Sequence, residues 1–135
     1  MRDGASRSGD RIVLIDTSSW IHFLRPDGDE HARERVSAAL EAGTARWCGM
    51  VRLELWNGAR GDREKRVLRE FERIVPELPT TADVWEDAFA LARRGRVAGV
   101  TTPAADVLIY ACAAHHGAEL EHRDNDYVKL SHVPQ

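Results

Sequence analysis

The stretch RIVLIDTSSW, residues 11 to 20, constrains the fold more tightly than any other part of the chain. Ile12, Val13, Leu14 and Ile15 are consecutive apolar residues of the length and type expected of a buried strand. The strand runs directly into Asp16. A carboxylate at the end of a core strand is costly unless a hydrogen bond or an opposite charge compensates it. Asp16 therefore demands a partner, and the rest of the chain can be searched for one.

Strand one is predicted over Arg11 to Ile15, followed by a short helix from Ser18 to Leu24 and a turn at Pro26 and Gly28. Asp29 can cap the next helix, on which Ala32, Val36, Ala39 and Leu40 recur at helical spacing, and Gly43 ends it. ARWCGM reads as a second strand. Met50 to about Arg60 reads as a helix with Met50, Leu53 and Trp56 on one side. The next helix, Arg63 to Ile74, turns Val67, Leu68, Phe71 and Ile74 inward and covers the rest with charges of both signs. Thr80 with Asp83 resembles a capping box that opens a long helix through about Arg96. Thr102 as cap and Pro103 in the first helical position start a buried helix that Gly117 ends. AELEH is a short strand and DNDYVKL a closing turn of helix.

Strands separated by helical patterns specify an α/β fold with a parallel sheet. In such sheets ligands gather beyond the carboxyl ends of the strands, which is where Asp16 falls. One domain over residues 11–135 follows a polar, loose extension, residues 1–10, that lacks the apolar core of a signal peptide. No apolar run reaches the length of a membrane span. Cys48 and Cys112 are too few for a disulfide framework, so reduced thiols in a cytoplasmic core are expected. The formal net charge of −3 argues against a protein that coats nucleic acid by bulk electrostatics. An enzyme whose acidic pocket is neutralised by a metal remains open.

Three further acids sit in apolar context. Glu54 lies between Leu53 and Leu55. Asp106 lies in the first turn of the most apolar helix, where the positive end of the helix dipole favours its ionised form. Asp124 follows the last strand, with Asp126 two residues on. Each acid taken alone is explained as a surface residue or a cap. If they converge, two charges about 5 Å apart at an effective dielectric near 20 repel by roughly 3 kcal/mol. Several such pairs would rival the stability of a small domain. A cluster of that kind persists only with a cation or with protons on some members. Oxygen ligands without Cys select Mg²⁺, with Mn²⁺ as a possible substitute, over Zn²⁺.

IVLIDTSSWI, the acid in VRLELWNGAR, then PAADVLIYACAAHHGAEL and HRDNDY form an ordered set. Together they resemble the PIN-domain family, and most closely the VapC-type ribonuclease toxins of bacterial toxin–antitoxin pairs. The resemblance implies a three-layer α/β/α sandwich with a short, mostly parallel sheet. It also implies Mg²⁺-dependent endonucleolytic cleavage of RNA, leaving a 5′-phosphate and a 3′-hydroxyl. Asp16, Glu54, Asp106 and Asp124 match the family's metal and catalytic acids, with Asp126 a less certain neighbour. Ser18 falls on the small hydroxyl position beside the first acid, and Thr17 adjoins it. A homodimer and a VapB-type antitoxin are implied as partners. His122 departs from the pattern, standing where many members carry Thr.

Other features have plainer explanations. Arg93, Arg94 and Arg96 have few acids beside them and are the RNA-contact candidates. Arg60, Arg63, Lys65, Arg66, Arg69 and Arg73 interleave with acids and read as a salt-bridged, solvated face. His115 and His116 suit a helix C-terminus better than a zinc site. Trp20, Trp56 and Trp85 read as core or subunit-interface residues. Two rival functions remain. One is a phosphatase or phosphotransfer domain with Asp16 as nucleophile. The other is a non-catalytic RNA- or partner-binding module on the same fold.

Overall fold

A computed structural model describes residues 11–135; the expected N-terminal extension, residues 1–10, lies outside them. The strands β1 (Val13–Ile15), β2 (Ala45–Cys48), β3 (Glu77–Leu78) and β4 (Glu119–Glu121) form one sheet in the order β3-β2-β1-β4, parallel throughout. Between and after them run α1 (Thr17–Leu24), α2 (Glu30–Ala42), α3 (Gly49–Asn57), α4 (Gly61–Ile74), α5 (Ala82–Val97), α6 (Ala104–His115) and α7 (Asn125–Ser131). The α/β architecture expected from the sequence is the one observed.

The chain steps outward from β1 to β2 to β3, then returns past β1 to β4. Crossovers between parallel strands are right-handed, so the reversal sends α5 and α6 to the face opposite α1 to α4 and produces three layers. The reversal falls between β1 and β4. Connections diverge there, and the carboxyl ends of the two strands border a crevice.

Leu14, Ile15, Trp47 and Cys48 on the two central strands are at most 1% exposed. Above them Trp20, Trp47, Phe71 and Phe23 pack with ring centroids 5.0 to 6.5 Å apart, tilted or edge-on. Such pairs contribute about 0.5–1.5 kcal/mol each beyond their area burial. Cys48 and Cys112 are both free and buried.

Local signals held where they were strongest. Asp29 caps α2 by accepting from the Ala32 N–H at 2.8 Å, and Gly43 closes that helix at φ 73°. Four expectations need correction. Thr81 rather than Thr80 caps α5, accepting from the Val84 N–H at 3.3 Å. Pro103 itself occupies the N-cap of α6, and the Thr102 hydroxyl is buried without a partner among the described residues. On α3 Val51 and Leu55 are buried and Met50 and Trp56 pack partly buried against the core, Trp56 also donating through Nε1 to Glu72, but Leu53 is 62% exposed. The nine-residue helix starts at Gly49, and packing against β2 and α1 decides which of its apolar residues are covered. On α4 Leu68 and Phe71 are buried, but Ile74 is exposed because the helix ends there and Val75 turns inward instead.

The charged face of α4 also differs in part. Arg73 pairs with Glu70, and Glu72 pairs with Arg52 of α3, as a solvated face would. Glu64, however, is buried and accepts from Arg25 Nε at 3.0 Å and from the Arg60 N–H at 2.8 Å. Burial pushes its carboxyl up, but these donors and the Arg25 and Arg60 charges prevail and hold it below the usual range. Trp85 lies on an exposed side of α5, outside the core. The strand β3, two residues long, went unrecognised in the sequence because it carries no periodicity to read.

Candidate functional site

Asp16 leaves β1 in an extended conformation and caps α1. Its Oδ1 accepts from the Ser19 N–H at 2.9 Å, and the Ser18 hydroxyl lies 3.0 Å from each carboxylate oxygen. Its own N–H donates to the Glu121 carbonyl at 3.0 Å, tying the end of β1 to the end of β4. The residue is 2% exposed. Burial pushes its carboxyl above the ordinary value, against the bonds from Ser19 and Ser18 and the charge of His122. The partner that Asp16 required is thus, in the first instance, the start of its own helix.

Glu54 reaches the same place from α3. Its Oε1 accepts from the Thr17 hydroxyl at 2.5 Å, so one side chain links the residue after Asp16 to the second acid. Asp106 stands in the first turn of α6. Asp124 caps α7, accepting from the Asp126 N–H at 2.9 Å. A carboxylate oxygen from each of Asp106, Asp124 and Asp126 lies within 4.8 Å of the other two. The tightest group is therefore these three aspartates, with Asp126 fully part of it, and Asp16 and Glu54 stand outside it.

Tyr127 joins the aspartate group from α7. It is 2% exposed and donates its hydroxyl to Asp106 Oδ1 at 3.3 Å. Burial, followed by the charges of Asp16, Asp106 and Asp124, pushes the phenol well above its ordinary value. Nothing local in the sequence marks this residue's place, because a Tyr on a short amphipathic helix reads as packing. Ser19, whose N–H donates to Asp16, carries no distinguishing signal either, since a backbone N–H has no residue-specific signature.

Asp16, Asp106 and Asp124 stand at the N-termini of α1, α6 and α7, and each helix end contributes about 0.3–1 kcal/mol toward holding an anion. That is less than the roughly 3 kcal/mol by which each close carboxylate pair repels. Repulsion wins. Burial first, then the Asp124 and Asp126 carboxylates, raise the Asp106 carboxyl from 3.8 to about 7. Lys129 Nζ lies 3.7 Å from Asp126 Oδ1, and among the described residues no ion pair reaches Asp106 or Asp124.

The oxygen-only donor set fits a hard divalent cation rather than zinc. His122 Nδ1 is turned to the Asp124 N–H at 3.4 Å. His115 faces Asp87, and His116 faces the Pro79 carbonyl, so the two do not share a ligand. Arg93, Arg94 and Arg96 lie in the last turns of α5, and Arg94 donates to the Pro134 carbonyl at 3.0 Å. Among the described residues no hydrogen bond or ion pair joins these arginines to the acids. Asp16 as a phosphate-accepting nucleophile is disfavoured, since both its oxygens are engaged and the residue is buried.

The PIN domain model matches residues 13–133. A VapC ribonuclease of Mycobacterium bovis is 34% identical over 128 residues, covering 90% of this chain and 93% of that protein. Ribonuclease VapC21 of Mycobacterium tuberculosis is 31% identical over 106 residues, covering 75% of each. In backbone, the chain superposes on FitAB bound to a DNA fragment with a TM-score of 0.70 at 20% identity, covering 89% of this chain and 91% of that one. DNA-bound VapBC from Salmonella typhimurium gives a TM-score of 0.70 at 18% identity, covering 92% and 93%. A sheet-edge carboxylate cluster on this topology, a family match over nearly the whole chain and relatives of equal length agree: the chain belongs to the PIN-domain family, in its VapC branch.

Proposed function

We propose that this chain is a divalent-cation-dependent endoribonuclease, the toxin half of a toxin–antitoxin pair. The observation that carries the reading is the crowding of Asp106, Asp124 and Asp126 at the carboxyl edge of the sheet, the edge at which β1 also delivers Asp16. The relatives named as ribonucleases support the substrate class. Asp106, Asp124 and Asp126 would hold the ion, Mg²⁺ or Mn²⁺, with Asp16 and Glu54 completing the negative surround.

Bound there, such an ion lowers the pKa of a water and stabilises charge on the phosphodiester oxygens. The protein's own part is positional. Ser18 and the Ser19 N–H fix the Asp16 carboxylate, and Thr17 fixes Glu54. Three helix N-termini supply a field that tolerates anions and would favour an approaching phosphate. Arg93, Arg94 and Arg96 are assigned to the RNA backbone farther out.

Two partners follow from the same reading: a VapB-type antitoxin and a second copy of the chain. Superposition on VapBC and FitAB complexes supports the first. A basic antitoxin segment would complement the acidic crevice by charge-assisted hydrogen bonds. No helix among the described residues is long and apolar enough to cross a membrane, in keeping with the proposed action in the cytoplasm.

The test is cleavage of a structured RNA in Mg²⁺. EDTA should abolish it and Mn²⁺ should restore it. Asp16→Ala should lower the rate by about 10–100-fold. Undiminished cleavage in EDTA would remove the cation from the mechanism.

A further inference from the structure

Tyr127 is a buried hydroxyl aimed into a group of acids, and a core position does not require one. Phe fills the same volume, and an apolar slot would take it without the need to satisfy an O–H. Here the O–H donates to Asp106 Oδ1 at 3.3 Å. The ring is held from the other side by His122, with ring centroids 5.0 Å apart. His122 Nδ1 in turn faces the Asp124 N–H. Tyr127 also lies on α7, the helix that presents Asp124 and Asp126, while Asp106 belongs to α6. Its hydroxyl thus joins the side chain of Asp106 to α7.

We infer that Tyr127 is a positioning residue: its hydroxyl fixes the Asp106 carboxylate against Asp124 and Asp126 and so sets the affinity and selectivity of the cation site. The inference rests on the cation-dependent reading above and names a determinant within that site. Oδ1 is engaged by the phenol, which disfavours two-oxygen ligation by Asp106. Small octahedral ions such as Mn²⁺ and Mg²⁺ suit single-oxygen carboxylate ligands, whereas Ca²⁺ accepts two-oxygen ones and a looser site. Groups that hold a metal ligand in place are commonly worth 10–100-fold in affinity, by the order of magnitude seen for such outer contacts.

The experiment is calorimetric titration of the purified full chain with Mn²⁺ and with Ca²⁺, for the unaltered protein, Tyr127→Phe and Tyr127→Leu. Melting curves confirm which variants are folded. The expected result is Mn²⁺ binding at least about 10-fold weaker in Y127F, a smaller loss for Ca²⁺, and hence a reduced Mn²⁺/Ca²⁺ preference. A merely structural role for the ring would leave the preference of Y127F unchanged. If Y127F proves unfolded, Y127L carries the same expectation, since it too lacks the hydroxyl. Unaltered protein that binds Mn²⁺ alongside a folded variant that binds it equally well overturns the role of Tyr127 and leaves the nuclease reading standing. Unaltered protein that holds no Mn²⁺ overturns both.

Discussion

Asp106 shows how position alone changes a side chain's chemistry. In the sequence it is one acid near a helix start, and the dipole argument predicts an ionised group. In the structure Asp124 and Asp126 outweigh the dipole, and burial outweighs both, so its carboxyl rises from 3.8 to about 7. A folded-state value above the unfolded one means that the folded protein holds the proton more tightly. The stability this contributes is complete below about pH 4 and lost as pH rises through about 7. Asp106→Asn, which keeps an acceptor for Tyr127 and removes the charge, should therefore stabilise the EDTA-treated protein at pH 8. The gain should be about 1–2 kcal/mol once solvent screening of a half-exposed group is allowed for. Urea melts at pH 5 and pH 8 check it: the difference between variant and unaltered protein should be present at the higher pH and shrink at the lower. The residue types of the site were legible in the sequence. The roles of Tyr127, Ser19 and the buried Glu64 were not, because each depends on an acceptor or donor many residues away, or on a backbone N–H that has no residue-specific signature.

The elements were legible wherever their cue was local. The buried strand β1, the cap at Asp29, and the left-handed glycines Gly43 and Gly117 are all read within a few residues. The inward side of α3 was legible only in part: Met50 and Trp56 do pack against the core, but Leu53 is exposed and Val51 and Leu55 are the buried pair, which only the placed neighbours decide. A second example lies between α1 and α2. Gly28 reads as turn punctuation, yet a Cβ there would stand 2.0 Å from the backbone oxygen of His22. The conflict is backbone against side chain, so no rotamer relieves it, and α1 and the turn must separate. Gly28→Ala should destabilise by about 1–3 kcal/mol. It should appear as a lower urea midpoint with an unchanged slope. A midpoint equal to that of the unaltered protein would mean that the loop accommodates the methyl group freely.

In the whole molecule, the acids meet because the third crossover reverses direction. β4 returns to the far side of β1, which brings residues 124 and 126 to the end of the strand that delivers Asp16. A centre built this way is strained by its own charge when empty, so a cation should stabilise the entire fold. At 100 times its dissociation constant Mn²⁺ should add about 2.7 kcal/mol. Thermal melts in EDTA and in Mn²⁺ measure this, and the increment should vanish in D106N. A melting temperature indifferent to Mn²⁺ would show that the three aspartates are not a binding centre.

What the sequence settled by itself was the class of fold, the position of the first strand and the identity of the acids in apolar surroundings. Apolar runs, helical spacing and caps act over distances of a few residues, and those distances are written into the order of the chain. The tertiary structure alone decided that Asp106, Asp124 and Asp126 lie within 4.8 Å of one another, that Glu54 meets Thr17, and that a tyrosine hydroxyl bonds Asp106. Those outcomes depend on strand order and on electrostatic repulsion between groups that are near in space and far apart along the chain, and no local pattern encodes them.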